Sequence, residues 1–258
     1  MTPALECRAV SRTFGGVHAV AEVSFAVPPG SLCALIGPNG AGKTTLFNMA
    51  TNLFPPTSGQ VLFFGRSAAG RAPHQIAADG VIRTFQTARV FPGMTTLENV
   101  LAGAYLHGRA GALAQMFWTR AARAEERRLI AKADALLDLV GLRDARERPT
   151  ADLAVGAQKL VEIMRALMAG PKLLLLDEPA AGLNDRETAD LAALLRAIRD
   201  AGTTILVVEH NMSLVMGVAD EIFVLDAGRL IARGPPAAIR QDRAVIEAYL
   251  GRPEEAAP

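Results

Sequence analysis

The chain has two cysteines in 258 residues, Cys7 and Cys33. Two are too few for a disulfide framework, and each reads as a small buried hydrophobe of a cytosolic protein. It also lacks an excess of either charge: 27 Lys and Arg stand against 26 Asp and Glu, for a formal net charge of +1. That balance argues against attachment to nucleic acid by bulk charge and leaves room for a local phosphate site. No apolar run approaches the ~18 residues of a membrane span. The apolar runs, such as 173–176 and 205–208, have the length of strands. Acidic Glu6 and the lack of a long apolar run near the start argue against a secretory leader. Any membrane role is therefore expected to come through a partner chain. There is no internal repeat, and the only low-complexity block is the Pro-, Glu- and Ala-rich stretch 252–258, expected to fray.

Half the residues are apolar and 21% are charged, an ordinary balance for a globular chain with a sizeable core. Residues 5–64 read as short β segments at 23–27, 31–36 and 61–64, with Pro28-Pro29-Gly30 as a turn. A helix is expected after Gly42, carrying Leu46 and Phe47 into a core. From 96 to about 170 the texture is helical: Leu129, Ala133, Leu136, Leu137 and Val140 fall on one face, and Gly141 sits where a cap belongs. Arg120, Arg123, Arg127 and Arg128, interleaved with Glu125 and Glu126, read as a solvated helix face. The runs 173–176 and 205–208 suit strands buried on both faces. Between them an amphipathic helix over 186–200 aligns Leu191, Leu194, Leu195 and Ile198, and 222–232 reads as a hairpin around Asp226-Ala227-Gly228. The pattern predicts an α/β core split by a helical insertion at about 96–165.

Gly37-Pro38-Asn39-Gly40-Ala41-Gly42-Lys43-Thr44-Thr45 fits G-x-x-x-x-G-K-[ST], after an apolar run and before a helix. The glycines let backbone N–H groups wrap a phosphate, and the helix N-terminus adds partial positive charge. Lys43 can neutralise β- and γ-phosphates, and the Thr44 hydroxyl can ligate Mg²⁺. The strand at 173–176 ends in Asp177-Glu178. Asp177 is placed to hold the hydration shell of Mg²⁺, and Glu178 can act as general base on an attacking water. The second buried strand ends in Glu209-His210. In a parallel sheet such ends converge on one ligand edge, so His210 can reach the γ-phosphate and keep Glu178 and the water in register.

In chain order, the phosphate loop, Gln86 in Arg83-Thr84-Phe85-Gln86, the segment Leu153-Ala154-Val155-Gly156-Ala157, Asp177-Glu178 and His210 resemble the motifs of an ATP-binding cassette (ABC) transporter ATPase, over nearly the whole chain. The 110 residues from Lys43 to Leu153 resemble the spacing of a transporter cassette. Among these, Gly80-Val81-Ile82-Arg83-Thr84-Phe85-Gln86, Asp177-Glu178-Pro179-Ala180-Ala181-Gly182-Leu183-Asn184 and Val245-Ile246-Glu247-Ala248-Tyr249-Leu250-Gly251 look most like the ATPase subunit of bacterial branched-chain amino acid importers.

The resemblance implies a P-loop NTPase core of α/β class, with a RecA-like, mostly parallel sheet, an antiparallel β subdomain and an inserted α-helical subdomain. It implies one ATPase domain over 1–251: a nucleotide-binding core at 1–95 and 166–235, a helical signature subdomain at 96–165, a helical extension at 236–251 and a flexible tail at 252–258. ATP and Mg²⁺ are the implied cofactors. Two cassettes would close head to tail, each ATP held between the phosphate loop of one and residues 153–157 of the other. Those residues depart from the usual L-S-G-G-Q: Ala154 replaces Ser, Val155 replaces the first Gly, and Ala157 replaces Gln, with Gln158 next. Gly156 keeps a close backbone approach, and the signature would open a helix, seen in the apolar stripe Leu160, Ile163, Met164 and Leu167, toward the partner's phosphate. Gln86 would contact Mg²⁺ or the attacking water, and its loop would feel a membrane subunit. Phe14, before Gly15-Gly16, sits where an aromatic ring stacks on adenine. Residues 181–184 would cross to the partner, with Asn184 at the family's usual Asp and Asp185 beside it.

The implied partners are a second cassette, membrane permeases and, indirectly, a periplasmic substrate-binding protein, at the cytoplasmic face of the inner membrane. No nucleic-acid partner is implied. Similar cassettes import urea or short amides, or extract lipopolysaccharide. A repair-type ATPase would need a long coiled coil between loop and signature, which the 110-residue interval excludes. A translation-type protein would carry two cassettes. A P-loop phosphotransferase would need neither the signature nor His210.

Overall fold

The computed structural model describes residues 1–84, 90–107 and 119–250, so the tail expected to fray lies outside the described residues. β1 (Leu5–Phe14) and β2 (Val17–Val27) form a hairpin. β3 (Leu32–Ile36) runs into the phosphate loop and α1 (Lys43–Ala50). β4 (Ser58–Phe63) and β5 (Arg66–Ser67) complete an antiparallel sheet of order β2-β1-β4-β5. α2 (Pro73–Ala78) leads to the short β6 (Val81–Arg83). The helical stretch holds α3 (Thr96–Leu101), α4 (Arg120–Leu139) and α5 (Val155–Met168). Then come β7 (Leu173–Asp177), α6 (Asp185–Asp200), β8 (Thr204–Val208), α7 (Met212–Val218), β9 (Glu221–Asp226) and β10 (Arg229–Gly234). The chain finishes in α8 (Pro236–Ile239) and α9 (Arg243–Leu250). No helix among the described residues is long and apolar enough to cross a membrane.

The central sheet has the order β10-β9-β3-β8-β7-β6, parallel except at the β9–β10 hairpin. Every residue of β3, β7 and β8 is buried, as their continuous apolar runs require. Alternate residues point to opposite faces and so feed two separate cores. Leu32, Ala34, Leu174, Leu176, Ile205 and Val207 join one with the helices, while Cys33, Leu35, Leu173, Leu175, Leu206 and Val208 join another with α1 and the antiparallel sheet. The sheet is thus clamped from both sides, and its C-terminal edge gathers the loop after β3 and the turns after β8 and β7.

The sequence pattern missed β1. Its register slips between Cys7 and Val10 and again beyond, with Ala9 at φ 46°, and these bulges break the alternation a strand is recognised by. The helical texture expected from 96 to about 170 ends with α5 at Met168. In α4 the expected stripe is buried at Ala133 and Leu137, the four arginines face solvent, and Gly141 ends the helix at φ 67°.

Candidate functional site

The phosphate loop is fixed by backbone crowding. A Cβ on Gly37 would lie 2.0 Å from the Leu225 carbonyl oxygen, and one on Gly42 would lie 2.3 Å from that of Ala19. The β9–β10 turn, with Ala227 at φ 44°, braces it further: the N–H of Gly228 donates to the Ala41 carbonyl at 3.0 Å, and the N–H of Ala21 donates to the Gly228 carbonyl at 2.8 Å. The Lys43 ammonium donates to the carbonyls of Gly37 at 2.8 Å and Pro38 at 2.9 Å. Burial pulls its pKa down, and the Glu178 charge works against that. A cavity of about 540 Å³ is lined by Val17, His18, Ala19, residues 39–45, Glu178, Ala227 and Gly228. The loop brings Asn39, Gly40, Ala41, Gly42, Lys43, Thr44 and Thr45 to one cavity, and Gly37 and Pro38 supply the carbonyls behind it.

Asp177 and Glu178 are neighbours in sequence but face different ways. Asp177 is 6% exposed at the end of β7, and its Oδ2 accepts from Arg83 Nη2 at 3.1 Å. Burial raises its pKa, the Arg83 charge and hydrogen bond oppose the rise, and Glu178 and Glu209 add to it. Glu178 adopts φ 46°, an uncommon left-handed turn for a residue with a side chain. Its N–H still donates to the Val208 carbonyl at 2.9 Å, so the turn stays joined to β8 while the side chain lines the loop cavity. His210 Nδ1 is 3.9 Å from Glu178 Oε1, longer than a hydrogen bond, and its side chain is 59% exposed.

Three placements were not read from the sequence. Glu209 is 0% exposed: Oε1 accepts from the N–H of Ala180 at 2.7 Å, and Oε2 accepts from those of His210 at 3.0 Å and Asn211 at 3.1 Å. It thereby ties the turn after β7 to the turn after β8; the available signal was a carboxylate directly following a buried strand. Lys159 of α5 donates to the carbonyls of Glu178 and Ala181. Tyr249 of α9 meets the Gly37 backbone; burial raises the phenol's pKa and that backbone hydrogen bond offsets part of the rise.

The signature residues stand apart from the loop cavity. Leu153 ends a short turn, Ala154 is the N-cap of α5 without a side-chain bond, and Val155 is 60% exposed on the first turn. Ala157 follows on the same turn, and Gln158 Nε2 donates to the Leu153 carbonyl at 2.9 Å. Gly156 is buried, and a Cβ there would lie 2.9 Å from Glu187 Oε1 and 3.1 Å from Leu183 Cδ2, so its lack of a side chain lets α5 approach α6. Asn184 caps α6, its Oδ1 accepting from the Glu187 N–H at 3.0 Å in a reciprocal capping box. Phe14 lies outside the cavity lining: 45% exposed, it stacks under the Arg12 guanidinium at 4.7 Å, while Val17 and His18 beyond the Gly15-Gly16 turn reach the loop. Gln86 lies outside the described residues.

The loop fits a nucleotide phosphate, because its backbone is crowded where side chains would block a ligand and Lys43 is held at its rim. No group of three His, Cys, Asp or Glu is placed for a metal among the described residues. A Mg²⁺ here would therefore rely on phosphate oxygens together with Thr44 and Asp177, the usual manner of this ion with nucleotides.

Known proteins resemble this chain in sequence and in fold. Residues 20–181 match the model of the ABC transporter family, and residues 229–255 match that of the branched-chain amino acid ATP-binding cassette transporter. The high-affinity branched-chain amino acid transport ATP-binding protein BraF of Pseudomonas aeruginosa is 43% identical, with 96% of this chain and 98% of that protein covered. LivG of Escherichia coli, with the same description, is 40% identical over the same shares. A crystal structure of the ADP conformation of an ATP-binding cassette of an ABC transporter superposes with a TM-score of 0.83 at 31% identity, covering 97% of this chain and 100% of that one. A phosphate loop crowded by Leu225 and Ala19, a carboxylate pair split by a left-handed turn, and this likeness over nearly all of the chain make it a member of the ABC transporter family, as one of its ATPase cassettes.

Proposed function

We propose that this cassette hydrolyses MgATP to drive import of branched-chain or other small hydrophobic amino acids, paired with a second cassette beneath membrane permeases that receive cargo from an external binding protein. The observation that carries the cargo assignment is the C-terminal segment, where residues 229–255 match the branched-chain type of cassette and the full-length relatives carry that description. The cassette would sit at the cytoplasmic face of the membrane, held there by the permeases.

In this reading the loop N–H groups and Lys43 bind the β- and γ-phosphates. Thr44, Asp177 and Gln86 would hold Mg²⁺, which would offset the charge that builds up on the phosphates. Glu178, aimed into the cavity by its left-handed turn, orients the attacking water and accepts its proton. His210 would close its 3.9 Å gap to Glu178 on binding, as apo contacts at catalytic sites often tighten only in the complex. Phe14 would meet the adenine from the rim. Leu153, Ala154, Val155, Gly156 and Ala157 present the N-terminus of α5 to the partner's phosphate, with Val155 already at the surface.

Glu178→Gln tests the mechanism. The amide is nearly isosteric, so MgATP binding is kept, while turnover falls by about a hundred- to ten-thousand-fold. The variant and the wild type are assayed in the permease complex for ATP binding and ATP turnover, and the wild type for uptake of labelled leucine or urea. Wild-type turnover would overturn the role of Glu178, and urea uptake without leucine uptake would overturn the cargo.

A further inference from the structure

Arg83 opens the segment Arg83-Thr84-Phe85-Gln86, in which only Gln86 has an implied role. Its guanidinium is nevertheless the hub of the sheet edge. Nη1 donates to Thr51 Oγ1 at 2.7 Å, and Nη2 donates to Asn48 Oδ1 at 2.8 Å and to Asp177 Oδ2 at 3.1 Å. The Phe47 ring lies 4.9 Å from its centre. Asn48 and Phe47 belong to α1 and Thr51 caps its C-terminus, so Arg83 joins the far end of the phosphate-loop helix to the end of β7. Its backbone is fixed as well, because Arg83 pairs with Leu175 in the parallel β6–β7 ladder.

The pairing fixes a buried side chain. Asp177 is 6% exposed, and its Oδ2 is held by a guanidinium that is itself tied to Asn48 and Thr51 at the end of α1. The planar fork of arginine gives such a contact a defined direction that a lysine would not.

We propose that Arg83 is the positioning residue of the metal-binding carboxylate: by tying Asp177 Oδ2 to the end of α1 it keeps the carboxylate aimed, and so sets the cassette's affinity for Mg²⁺ and not its affinity for the nucleotide. This rests on the reading that Asp177 holds the hydration shell of Mg²⁺. It gives β6 a direct hold on that carboxylate.

The test is binding of a fluorescent ATP analogue to the full chain, first in EDTA and then across a Mg²⁺ titration. In Arg83→Gln, affinity in EDTA should stay within about twofold of wild type, while the Mg²⁺ concentration for half-maximal effect rises about tenfold, or ~1.4 kcal/mol. Arg83→Lys, which keeps the charge but loses the fork, should fall between. In an Asp177→Asn background, Arg83→Gln should add nothing, because its effect runs through that carboxylate. An unchanged Mg²⁺ requirement in a folded Arg83→Gln overturns the proposal, as does an equal loss of affinity in EDTA, which a merely structural role would give. If Arg83→Gln does not fold, Asn48→Ala with Thr51→Ala frees the arm while keeping its charge. A raised Mg²⁺ requirement there supports the proposal, and an unchanged one overturns it. Asp177→Asn alone separates the two ideas: no effect on Mg²⁺ dependence would remove the metal reading itself, whereas a strong effect beside a silent Arg83→Gln would remove only the role of Arg83.

Discussion

The ammonium of Lys159 donates to the main-chain carbonyl of Glu178 at 3.2 Å, and the same ammonium also takes the Ala181 carbonyl. Lys159 is 9% exposed on the second turn of α5. α5 is therefore tied, within one cassette, to the turn that carries Glu178. Burial depresses the ammonium's pKa, and the carboxylates of Glu209, Glu162 and Glu178 counter the depression, so the cation is held by its partners and not by water. A displacement at the exposed end of α5 would be felt at Glu178 through one side chain.

Lys159→Met should uncouple them. The methionine fills the space but leaves two carbonyls of the turn without their donor, and hydrogen bonds to a charged group are worth about 1.5–3 kcal/mol. Relief of the buried charge offsets part of this, so a stability loss of about 1–2 kcal/mol is expected. ATP affinity should hold, since the loop is untouched, while turnover by the assembled transporter drops at least tenfold. Thermal melting and a KM-against-kcat comparison check this. Unchanged turnover in a folded variant would mean that the tie is only mechanical ballast.

Much of the α/β core was legible because β3, β7 and β8 are unbroken apolar runs and because the loop motif sits directly between a strand and a helix. The order of strands at the ligand edge was not legible, since parallel pairing depends on contacts far apart in sequence. The loop's backbone crowding was hidden too: the residue that presses on Gly37 is Leu225, from a hairpin nearly two hundred positions later. Asn184 looked like a departure from an expected Asp, yet as an N-cap the two residues are equivalent, and the structure uses it for a capping box. Gly156 looked like a phosphate contact alone, and it is also the point where α5 packs on Glu187. Arg83, Lys159 and Glu209 carry the site's internal wiring; only Glu209, directly after a buried strand, had a local signal, and nothing in the local sequence of Arg83 or Lys159 separates a buried charged residue with partners from an exposed one.

The two thiols supply a pH signature. Burial pushes Cys33 up to about 12, the Ser31 hydroxyl at 3.4 Å pulling slightly the other way, and burial raises Cys7 further still, helped by Glu6. Both folded values lie above the ordinary thiol value of 9.0, so the native state keeps its protons while the unfolded chain loses them. Stability from these groups is therefore fully present below pH 9.0 and is lost as pH rises toward 12, by ~1.4 kcal/mol per pH unit for each thiol. A thiol reagent at pH 8 should label neither cysteine in the native chain and both after denaturation. Unfolding midpoints should fall between pH 9 and 10.5, and the fall should flatten in the Cys7→Ala, Cys33→Ala double variant. Rapid labelling of the native chain would contradict the burial of either residue.

Two glycines of the phosphate loop separate backbone conformation from crowding. Gly40 has φ 81° with open space where a Cβ would stand, and Gly42 has φ 94° with the Ala19 carbonyl oxygen 2.3 Å from that position. An alanine at either site pays for a left-handed conformation, about 1–2 kcal/mol. At Gly40 that is the whole cost to the apo fold, so Gly40→Ala should melt a few degrees lower and otherwise remain native. At Gly42 the new methyl meets main chain of β2, which has no rotamer to escape into, and overpacking adds about 1–3 kcal/mol. Relief requires β2 to move from the loop, which would also disturb the hydrogen bond from the Ala21 N–H to the Gly228 carbonyl. Gly42→Ala should therefore lose at least twice the stability of Gly40→Ala and fail to bind ATP even where it stays folded. Urea midpoints and calorimetric ATP titrations on the two variants decide the matter. Equal losses at the two positions would show that β2 does not bear on the loop and that the crowding has no energetic consequence.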